Sequence, residues 1–323
     1  MRRKGNPLYL ITGGAGFIGS HIAEKLVAMG ERVRVLDNFS SGKRANLAGL
    51  GDKVEIVCGD ILDLEVVKKA ADGVHVVFHQ AALRSVPFSV ENPTLVNRVN
   101  VEGTLNVLTA ARDCGVKRVV YASSSSAYGR GSMQPKKETD TPGPISPYAV
   151  SKLAGEYYCK VFSELYGLET VSLRYFNVYG PRQDPNSQYA AVIPRFIQWA
   201  LQGQPLEVHG DGLQSRDFTY IDNVVAANVQ AAQTELGIGQ AFNVGQGETH
   251  TLLDLIAVIE KNLQIKLKRS HTAARAGDVR FTQADISECK RCLGYNPGVS
   301  FVEGLARTVK FFRRGAEGAG KRE

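Results

Sequence analysis

Short apolar runs of strand length alternate with longer segments of helical periodicity through the first half of the chain. The helical segments cover residues 17–29, 97–114 and 148–166, and each lies between two apolar runs. Because this alternation is typical of parallel strands joined by helices, we predict an α/β fold with a doubly wound parallel sheet. The predicted strands are residues 8–11, 32–36, 54–58, 74–79, 118–122 and 170–173.

The pattern becomes less regular after about residue 176, where prolines interrupt it. Since proline removes a backbone donor and breaks helices and central strands, we interpret this part as a smaller, mostly helical lobe. We predict a sheet domain at residues 1–175, to which short segments near residues 215–245 return, and a second lobe at residues 176–312. Residues 313–323 end in a stretch rich in glycine and alanine that cannot bury enough apolar surface to order itself, so we expect a disordered tail.

Composition narrows the class of protein. The chain has 323 residues, 43% of them hydrophobic and 22% charged, a balance that excludes disorder, collagen and coiled coil. No apolar run reaches the roughly 18 residues of a membrane helix, and the first residues lack a signal-peptide pattern. The net charge is +7, but residues 1–5 and 313–323 hold a net five of these charges. Because nucleic-acid binders concentrate basic charge on the folded surface, we expect no nucleic acid and no membrane as partner.

The five cysteines are an odd number and lie far apart in the sequence. Reduced thiols are the rule in the cytoplasm, and we expect a cytoplasmic protein. Cys289 and Cys292 are the one close pair, and no second pair or flanking histidine completes a zinc site around them. We therefore expect no metal, and we interpret both cysteines as ordinary helix residues.

A glycine-rich loop connects the first predicted strand to the first predicted helix through Gly13, Gly16 and Gly19. Such glycines let the backbone turn sharply and approach a pyrophosphate, which then lies at the helix N-terminus. Asp37 ends the second predicted strand, where an acid can accept the ribose hydroxyls of NAD and repel the 2′-phosphate of NADP. Lys43 and Arg44 can offset part of that repulsion. We predict NAD as the cofactor.

Of the twelve tyrosines, Tyr148 alone has a lysine, Lys152, four residues later. Ser146 and Pro147 precede it as a helix start, and residues four apart share one helix face. A phenol with a pKa of about 10 is a poor base at neutral pH. An adjacent ammonium favours the phenolate, so we expect Lys152 to bring Tyr148 into the working range of a general base.

Four serines, residues 123–126, follow the strand predicted at residues 118–122. Ligands of open α/β sheets bind at the carboxyl ends of the strands. A serine hydroxyl at this place can hydrogen-bond a reacting oxygen of the substrate and pass its proton to Tyr148. Ser123, Ser124 and Ser125 are the alternatives in register.

Over about residues 7–312 these motifs resemble the extended short-chain dehydrogenase/reductase superfamily and, within it, the UDP-sugar 4-epimerases. The resemblance implies an NAD-binding Rossmann domain at residues 1–175, a substrate lobe at residues 176–312, and a homodimer that pairs helices 97–114 and 148–166. It implies a catalytic trio of Ser124, Tyr148 and Lys152. The implied cofactor contacts are Gly13, Gly16, Phe17, Ile18, Gly19, Asp37, Asn38, Asp60, Ile61, Ala81, Ala82, Asn100, Tyr148 and Lys152.

The same resemblance implies a set of contacts to the UDP-sugar. Guanidinium groups suit a diphosphate because they can bind it through two parallel hydrogen bonds. The implied substrate contacts are Arg84, Ser124, Ser125, Tyr148, Asn177, Arg182, Val192, Arg216, Arg275, Asp278 and Thr282.

Neighbouring activities in this superfamily differ in the residues after the catalytic hydroxyl. Sugar-nucleotide dehydratases carry an Asp-Glu pair there and UDP-glucuronate decarboxylases a glutamate, whereas this chain has Ser125 and Ser126. With no carboxylate to take an extra proton, the expected reaction is inversion at C4 through a 4-keto sugar with tightly bound NAD. A dinucleotide-binding sensor without catalysis is the alternative from another class.

The preferred sugar depends on finer features. Thr282 stands where strict UDP-galactose epimerases carry a tyrosine, and a small residue leaves space for a 2-acetamido group. We therefore expect UDP-GlcNAc/UDP-GalNAc interconversion, with UDP-Glc/UDP-Gal also accepted. Arg84 stands where the N-acetyl-sugar enzymes usually have a small residue, and it can face a carboxylate. A strict UDP-glucose 4-epimerase and a UDP-glucuronate 4-epimerase remain alternatives.

Overall fold

A computed structural model describes residues 6–131, 133–186, 191–273 and 280–319. Its strands are β1 (Leu8–Thr12), β2 (Arg32–Asp37), β3 (Val54–Cys58), β4 (Val76–His79), β5 (Arg118–Ser124), β6 (Glu169–Tyr175), β7 (Val178–Tyr179), β8 (Leu206–His209), β9 (Ser215–Arg216), β10 (Thr219–Tyr220), β11 (Gln240–Val244), β12 (His250–Thr251), β13 (Arg269–Thr272) and β14 (Phe281–Thr282). Its α-helices are α1 (Phe17–Ala28), α2 (Leu64–Ala71), α3 (Val86–Glu91), α4 (Pro93–Asn97), α5 (Gly103–Asp113), α6 (Pro147–Tyr166), α7 (Val192–Leu201), α8 (Ile221–Gln233), α9 (Leu252–Leu263), α10 (Ser287–Leu293) and α11 (Phe301–Ala319).

The central sheet has seven strands in the order β3-β2-β1-β4-β5-β6-β11. Every neighbouring pair in it is parallel, which confirms the predicted fold class. The chain reverses its direction across the sheet between β1 and β4. A crevice opens at such a switch point, outside the carboxyl ends of the strands, and ligands bind there.

Both faces of the sheet are covered at its centre, which explains why β1 and β4 are apolar runs without alternation. Leu10 and Ile11 of β1 are fully buried, although neighbouring side chains in a strand point to opposite faces. Leu10 belongs to one cluster of buried side chains and Ile11 to the other. The sheet therefore separates two cores and holds its carboxyl edge rigidly between them.

Most of the strands after β6 lie outside the seven-stranded sheet, and the division into a sheet domain and a second lobe stays a prediction. Small sheets form there, in the orders β10-β7, β12-β9-β14 and β13-β8, together with α7 and α9. The chain returns to the central sheet at β11, which pairs with β6. This return lies within the 215–245 region where we expected one.

The C-terminal helix corrects one sequence expectation. The disordered tail was expected from residue 313, but α11 continues to Ala319. Phe301, Leu305 and Val309 are buried on one face of this helix, so its apolar stripe anchors the turns that follow. An ion pair from Arg313 to Glu317 at 3.7 Å supports the last turns. Residues 320–323 lie outside the described residues.

The helix predicted at residues 97–114 also differs in detail. Its first residue, Asn97, ends α4, and a π-helical turn at Arg98–Glu102 connects α4 to α5, which begins at Gly103. Such turns are rare and occur mostly at functional sites. Among the described residues, no helix is long and apolar enough to cross a membrane.

Candidate active site

The glycine-rich turn lies at the switch point, between the ends of β1 and β4. Gly13 has a φ of +68°, and a Cβ there would lie 2.7 Å from the backbone nitrogen of Ala81. A Cβ on Gly19 would lie 2.4 Å from the carbonyl oxygen of Gly13. Only glycine fits either position, so this turn brings bare backbone to the N-terminus of α1, as a pyrophosphate requires.

Asp37 stands at the carboxyl end of β2 and is buried. Its carboxylate accepts hydrogen bonds from the backbone N–H groups of Ala15, at 2.9 Å, and Phe39, at 2.8 Å. These bonds fix the acid at the rim of the cleft. The two basic residues that could offset its charge face elsewhere: Lys43 pairs with Asp184, and Arg44 stacks on the ring of Phe39.

One cleft brings together nearly all the predicted cofactor contacts. A dinucleotide with free ribose hydroxyls fits this cleft, because the glycine turn leaves room for its pyrophosphate and Asp37 can accept hydrogen bonds from its ribose. NAD bound there supplies an acceptor and donor of hydride. The predicted contacts that line this cleft are Gly13, Gly16, Phe17, Ile18, Gly19, Asp37, Asn38, Asp60, Ile61, Ala81, Ala82, Tyr148 and Lys152.

Asn100 departs from the expectation, because its side chain is buried behind the cleft instead of lining it. It accepts a hydrogen bond from the Leu83 N–H at 2.8 Å and donates to the Leu83 carbonyl at 2.9 Å. It also donates to the Ser151 hydroxyl on α6 at 3.0 Å. The π-helical turn thus places Asn100 where its hydrogen bonds join α6 to the loop that follows β4.

Helix α6 presents Tyr148 and Lys152 on one face, as their spacing predicts. Ser146 caps this helix by accepting a hydrogen bond from the Ala149 N–H, and Pro147 occupies its first position, where a missing N–H costs nothing. Removal from water raises the pKa of Tyr148, whereas a hydrogen bond with the Ser124 hydroxyl and the Arg84 guanidinium act in the opposite direction.

Lys152 is buried, and its Nζ donates to the carbonyl oxygen of Ala122 at 2.8 Å. Burial lowers its pKa from 10.5 to about 8, while Cys159 and Glu156 act in the opposite direction. We expected the ammonium of Lys152 to be the group that favours the phenolate of Tyr148. In this structure Ser124 and Arg84 oppose the rise in the pKa of Tyr148, while Lys152 donates to the end of β5; the effect of its ammonium on the phenol stays a prediction.

The four serines have different partners. The hydroxyl of Ser123 donates to the carboxylate of Glu156. The Ser124 oxygen accepts hydrogen bonds from the N–H group of Ser126, at 3.2 Å, and from its hydroxyl, at 2.9 Å. Ser124 thereby keeps its own proton available for a second partner, which fits the role expected of it better than Ser123 does. Ser125 lines the adjoining cleft.

That second cleft adjoins the first and shares Tyr148, Arg84 and Phe17 with it. Thr282 lies in it, and its Oγ1 is buried with no hydrogen-bond partner in the described part of the chain. Asn177 has a φ of +26° and donates to the Asp217 carbonyl at 3.1 Å. The predicted substrate contacts that line it are Arg84, Ser124, Ser125, Tyr148, Asn177, Arg216 and Thr282.

Arg182 does not reach this cleft, contrary to the expectation. Its guanidinium binds the ring of His21 and the carboxylate of Glu24 on α1, and it donates to the Asn46 carbonyl at 3.2 Å. The φ of Arg182 is +67°, so the chain bends here and the next side chain, Gln183, lines the cleft instead. Sequence reasoning chose the charged residue of this motif and missed its neutral neighbour.

A third pocket adjoins the far side of Arg216, and Val192 lines it at the start of α7. Phe196 and Phe218 supply aromatic surface there, and Glu207 and His209 supply polar groups. The sequence analysis named Val192 and missed the aromatic pair, whose only signal was their position near predicted contacts. The remaining predicted contacts, Arg275 and Asp278, lie outside the described residues.

Cys289 and Cys292 lie on α10 away from these clefts, and both are buried in the core.

Comparison with known proteins agrees with this geometry. The sequence profile of the "NAD dependent epimerase/dehydratase family" matches residues 9–245. The UDP-glucose 4-epimerase of Mycolicibacterium smegmatis is 40% identical over 94% of this chain and 98% of its own length. The UDP-glucuronate 4-epimerase of Thermodesulfobacterium geofontis is 35% identical over 96% and 97%.

A solved structure gives the same result. The UDP-N-acetylglucosamine 4-epimerase of Methanobrevibacter ruminantium, in complex with UDP-N-acetylmuramic acid, is similar with a TM-score of 0.92 and 39% identity. The match covers 96% of this chain and 99% of that one. The chain therefore belongs to the NAD dependent epimerase/dehydratase family. It is an NAD-dependent epimerase, and the expected relationship to the UDP-sugar 4-epimerases is confirmed.

Proposed function

We propose that this enzyme inverts C4 of a UDP-hexose, with UDP-GlcNAc/UDP-GalNAc as the preferred pair and UDP-Glc/UDP-Gal also accepted. The observation that carries the proposal is the position of Tyr148. It lies where the cofactor cleft meets the second cleft, with Ser124 and Lys152 on either side. A sugar carbon held there reaches both the phenol and the nicotinamide side of the first cleft.

In the proposed reaction, the phenolate of Tyr148 removes the proton of the sugar 4-hydroxyl. Ser124 donates a hydrogen bond to the same oxygen, since its own oxygen already accepts from Ser126. NAD, which the glycine turn and Asp37 would hold, would supply the acceptor for the C4 hydrogen as hydride and its donor when the hydrogen returns to the opposite face. After the 4-keto sugar has turned over on its diphosphate, Tyr148 gives the proton back. No net oxidation results.

The residues around Ser124 support epimerisation rather than elimination or decarboxylation. Ser125 and Ser126 line the second cleft where a carboxylate would be needed for an additional proton transfer. Arg216 lies between this cleft and the third pocket, where its charge suits a diphosphate. The nucleobase would then lie in the third pocket, which Val192 and Phe218 line.

The preference for an N-acetylated sugar rests on Thr282. Its side chain is short and lines the second cleft. A bulky side chain at this position would fill the space that the acetyl group needs.

The test is incubation of the purified protein with each UDP-sugar, without added NAD, followed by chromatographic separation of the epimers. We expect both UDP-GlcNAc and UDP-Glc to reach equilibrium with their C4 epimers. Turnover of UDP-Glc without turnover of UDP-GlcNAc would refute the N-acetyl preference. Failure of every UDP-sugar, in protein shown by absorbance and extraction to hold NAD, would refute the reaction itself.

A second candidate substrate is UDP-glucuronate, which Arg84 favours. This side chain is exposed, lines both clefts, and forms no hydrogen bond or ion pair with other described residues. Burial acts to raise the pKa of Tyr148 and of Asp184, and the positive charge of Arg84 acts in the opposite direction at both. A carboxylate at C6 of the sugar would give it a partner. Arg84→Gly should then raise the KM for UDP-glucuronate and leave that for UDP-Glc unchanged.

We also propose that two copies of the chain associate through α6 and the helices beside it. Tyr157, Val161 and Leu165 of α6 are exposed, and Val90 and Leu95 of the adjoining α3 and α4 are exposed as well. Such a contiguous apolar face suits a self-complementary interface. Light scattering after size exclusion should report a dimer for the native chain and a monomer for Leu165→Glu.

The cytoplasmic location stays a prediction.

A further inference from the structure

A buried carboxylate, Glu156, lies directly behind the catalytic groups. It is one helical turn after Lys152 on α6, and its side chain meets Arg174 of β6 and Ser123 of β5. Ser123 and Arg174 are opposite each other in the paired strands. The guanidinium of Arg174 binds the carboxylate through two hydrogen bonds, of 2.9 and 2.8 Å.

This cluster is enclosed on every side. The side chains of Glu156 and Arg174 are each only 6% exposed, and the guanidinium also lies 4.8 Å above the ring of Tyr128. A buried ion pair is a weak source of stability, because apolar side chains of similar volume often do as well or better. Ser123, which is hydrogen-bonded to this pair, immediately precedes Ser124. The cluster therefore suggests a role in the site.

We propose that Glu156 is a positioning residue: through Ser123 it fixes the end of β5 that carries Ser124, and it places a negative charge one helical turn from Lys152. The inference rests on the proposed roles of Ser124, Tyr148 and Lys152. Glu156 itself lines neither cleft, so it acts through other residues rather than on the substrate.

The surroundings of Lys152 single out this carboxylate. Burial lowers the pKa of Lys152, and Glu156 works against that effect together with Cys159. Burial holds the thiol of Cys159 protonated, with a pKa of about 12, and leaves His79 neutral, with a pKa of about 3. Within the described residues, the titratable and charged groups facing Lys152 are Tyr148, Glu156 and Cys159 from α6, His79 from β4 and Tyr121 from β5.

The test is Glu156→Gln, assayed over a range of pH with the UDP-sugar that the native enzyme turns over best. Removing the negative charge leaves Arg174 uncompensated, so the ammonium of Lys152 becomes less favourable. We expect the alkaline limb of kcat to move to lower pH by about one unit. We also expect kcat at its optimum to fall about ten- to a hundredfold, with KM changed less than about twofold.

The chain offers a matched control in the ion pair between Arg118 and Glu169. It joins the same two strands, β5 and β6, at their opposite end, and Arg118 is as buried as Arg174. Glu169→Gln also leaves a buried guanidinium without its carboxylate. We expect this variant to lower the Tm but to leave kcat and the pH profile unchanged.

Two further variants keep the test decisive if Glu156→Gln folds poorly. Glu156→Asp retains the charge and should restore the alkaline limb, with only part of kcat recovered. Glu156→Gln with Arg174→Met removes both charges, so it should fold and still show a reduced kcat with unchanged KM.

The inference is overturned if both Glu156 variants with reduced charge keep the native kcat and pH profile. The inference is also overturned if Glu169→Gln changes kcat and the pH profile by the same amount, because the effect would then be one of stability alone. Tyr148→Phe separates this outcome from failure of the proposed function: full activity in that variant would remove the catalytic roles on which the inference depends.

Discussion

Replacing Lys152 with methionine should make the protein more stable while it abolishes the reaction. Burial lowers the pKa of this lysine from 10.5 to about 8, and each unit corresponds to about 1.4 kcal/mol. At neutral pH the buried ammonium therefore costs about 3 kcal/mol of folding free energy. Loss of the 2.8 Å hydrogen bond to the Ala122 carbonyl offsets about 1 kcal/mol. The net gain for Lys152→Met is about 2 kcal/mol.

The stability gained by Lys152→Met should depend on pH, in a direction that follows from the lowered pKa of Lys152. Below pH 8 the lysine is charged in both the folded and the unfolded state, so the full cost is present. Between about pH 8 and 10.5 the unfolded chain binds a proton that the folded protein has released, and the stability contributed by this site rises with pH. The advantage of Lys152→Met should therefore be largest at neutral pH and disappear towards pH 10.5.

The assay is thermal unfolding of both proteins at several pH values, with the NAD concentration varied so that its contribution, which depends on each protein's affinity, can be subtracted. For a chain of 323 residues the expected rise in Tm at pH 7 is about 3 °C. The kcat should fall at least about a hundredfold. A Tm for Lys152→Met that is equal to or below the native value at every pH would refute the reasoning.

Three further predictions concern the clefts. Tyr148→Phe should lower kcat about 10²- to 10⁴-fold with bound NAD retained, measured by turnover and by cofactor extraction. Gly19→Ala places a methyl group 2.4 Å from the Gly13 carbonyl, so the purified variant should contain little or no NAD. One NAD per chain in this variant would contradict the proposed binding of the cofactor at the glycine turn. Thr282→Tyr should abolish turnover of UDP-GlcNAc and spare UDP-Glc, and an equal loss of both would contradict the size argument.

Local patterns in the sequence were sufficient for the fold class and for most of the cofactor cleft. The glycine turn, Asp37, and the pair Tyr148 and Lys152 each depend on neighbours within a few residues, because turns, strand ends and helix faces follow from spacing along the chain. The same reasoning placed the start of α6 at Ser146.

Tertiary structure decided which side chain of a motif faces the cleft. Arg182 binds α1 and Gln183 lines the cleft, because the backbone bends at a positive φ that the residue types do not reveal. Asn100 brackets a loop instead of lining the cofactor cleft. In each of these cases the partner is distant in the sequence.

The sequence by itself determined the alternation of strands and helices, the turn that only glycine can form, and the chemistry available at the carboxyl edge of the sheet. Only the tertiary structure decided that Ser123 donates to the buried carboxylate of Glu156, whereas Ser124 accepts from Ser126 and lines the second cleft. The physical reason is that periodicity and spacing report local geometry, whereas the choice among adjacent hydroxyl groups depends on hydrogen bonds across strands and helices that meet only in the folded chain.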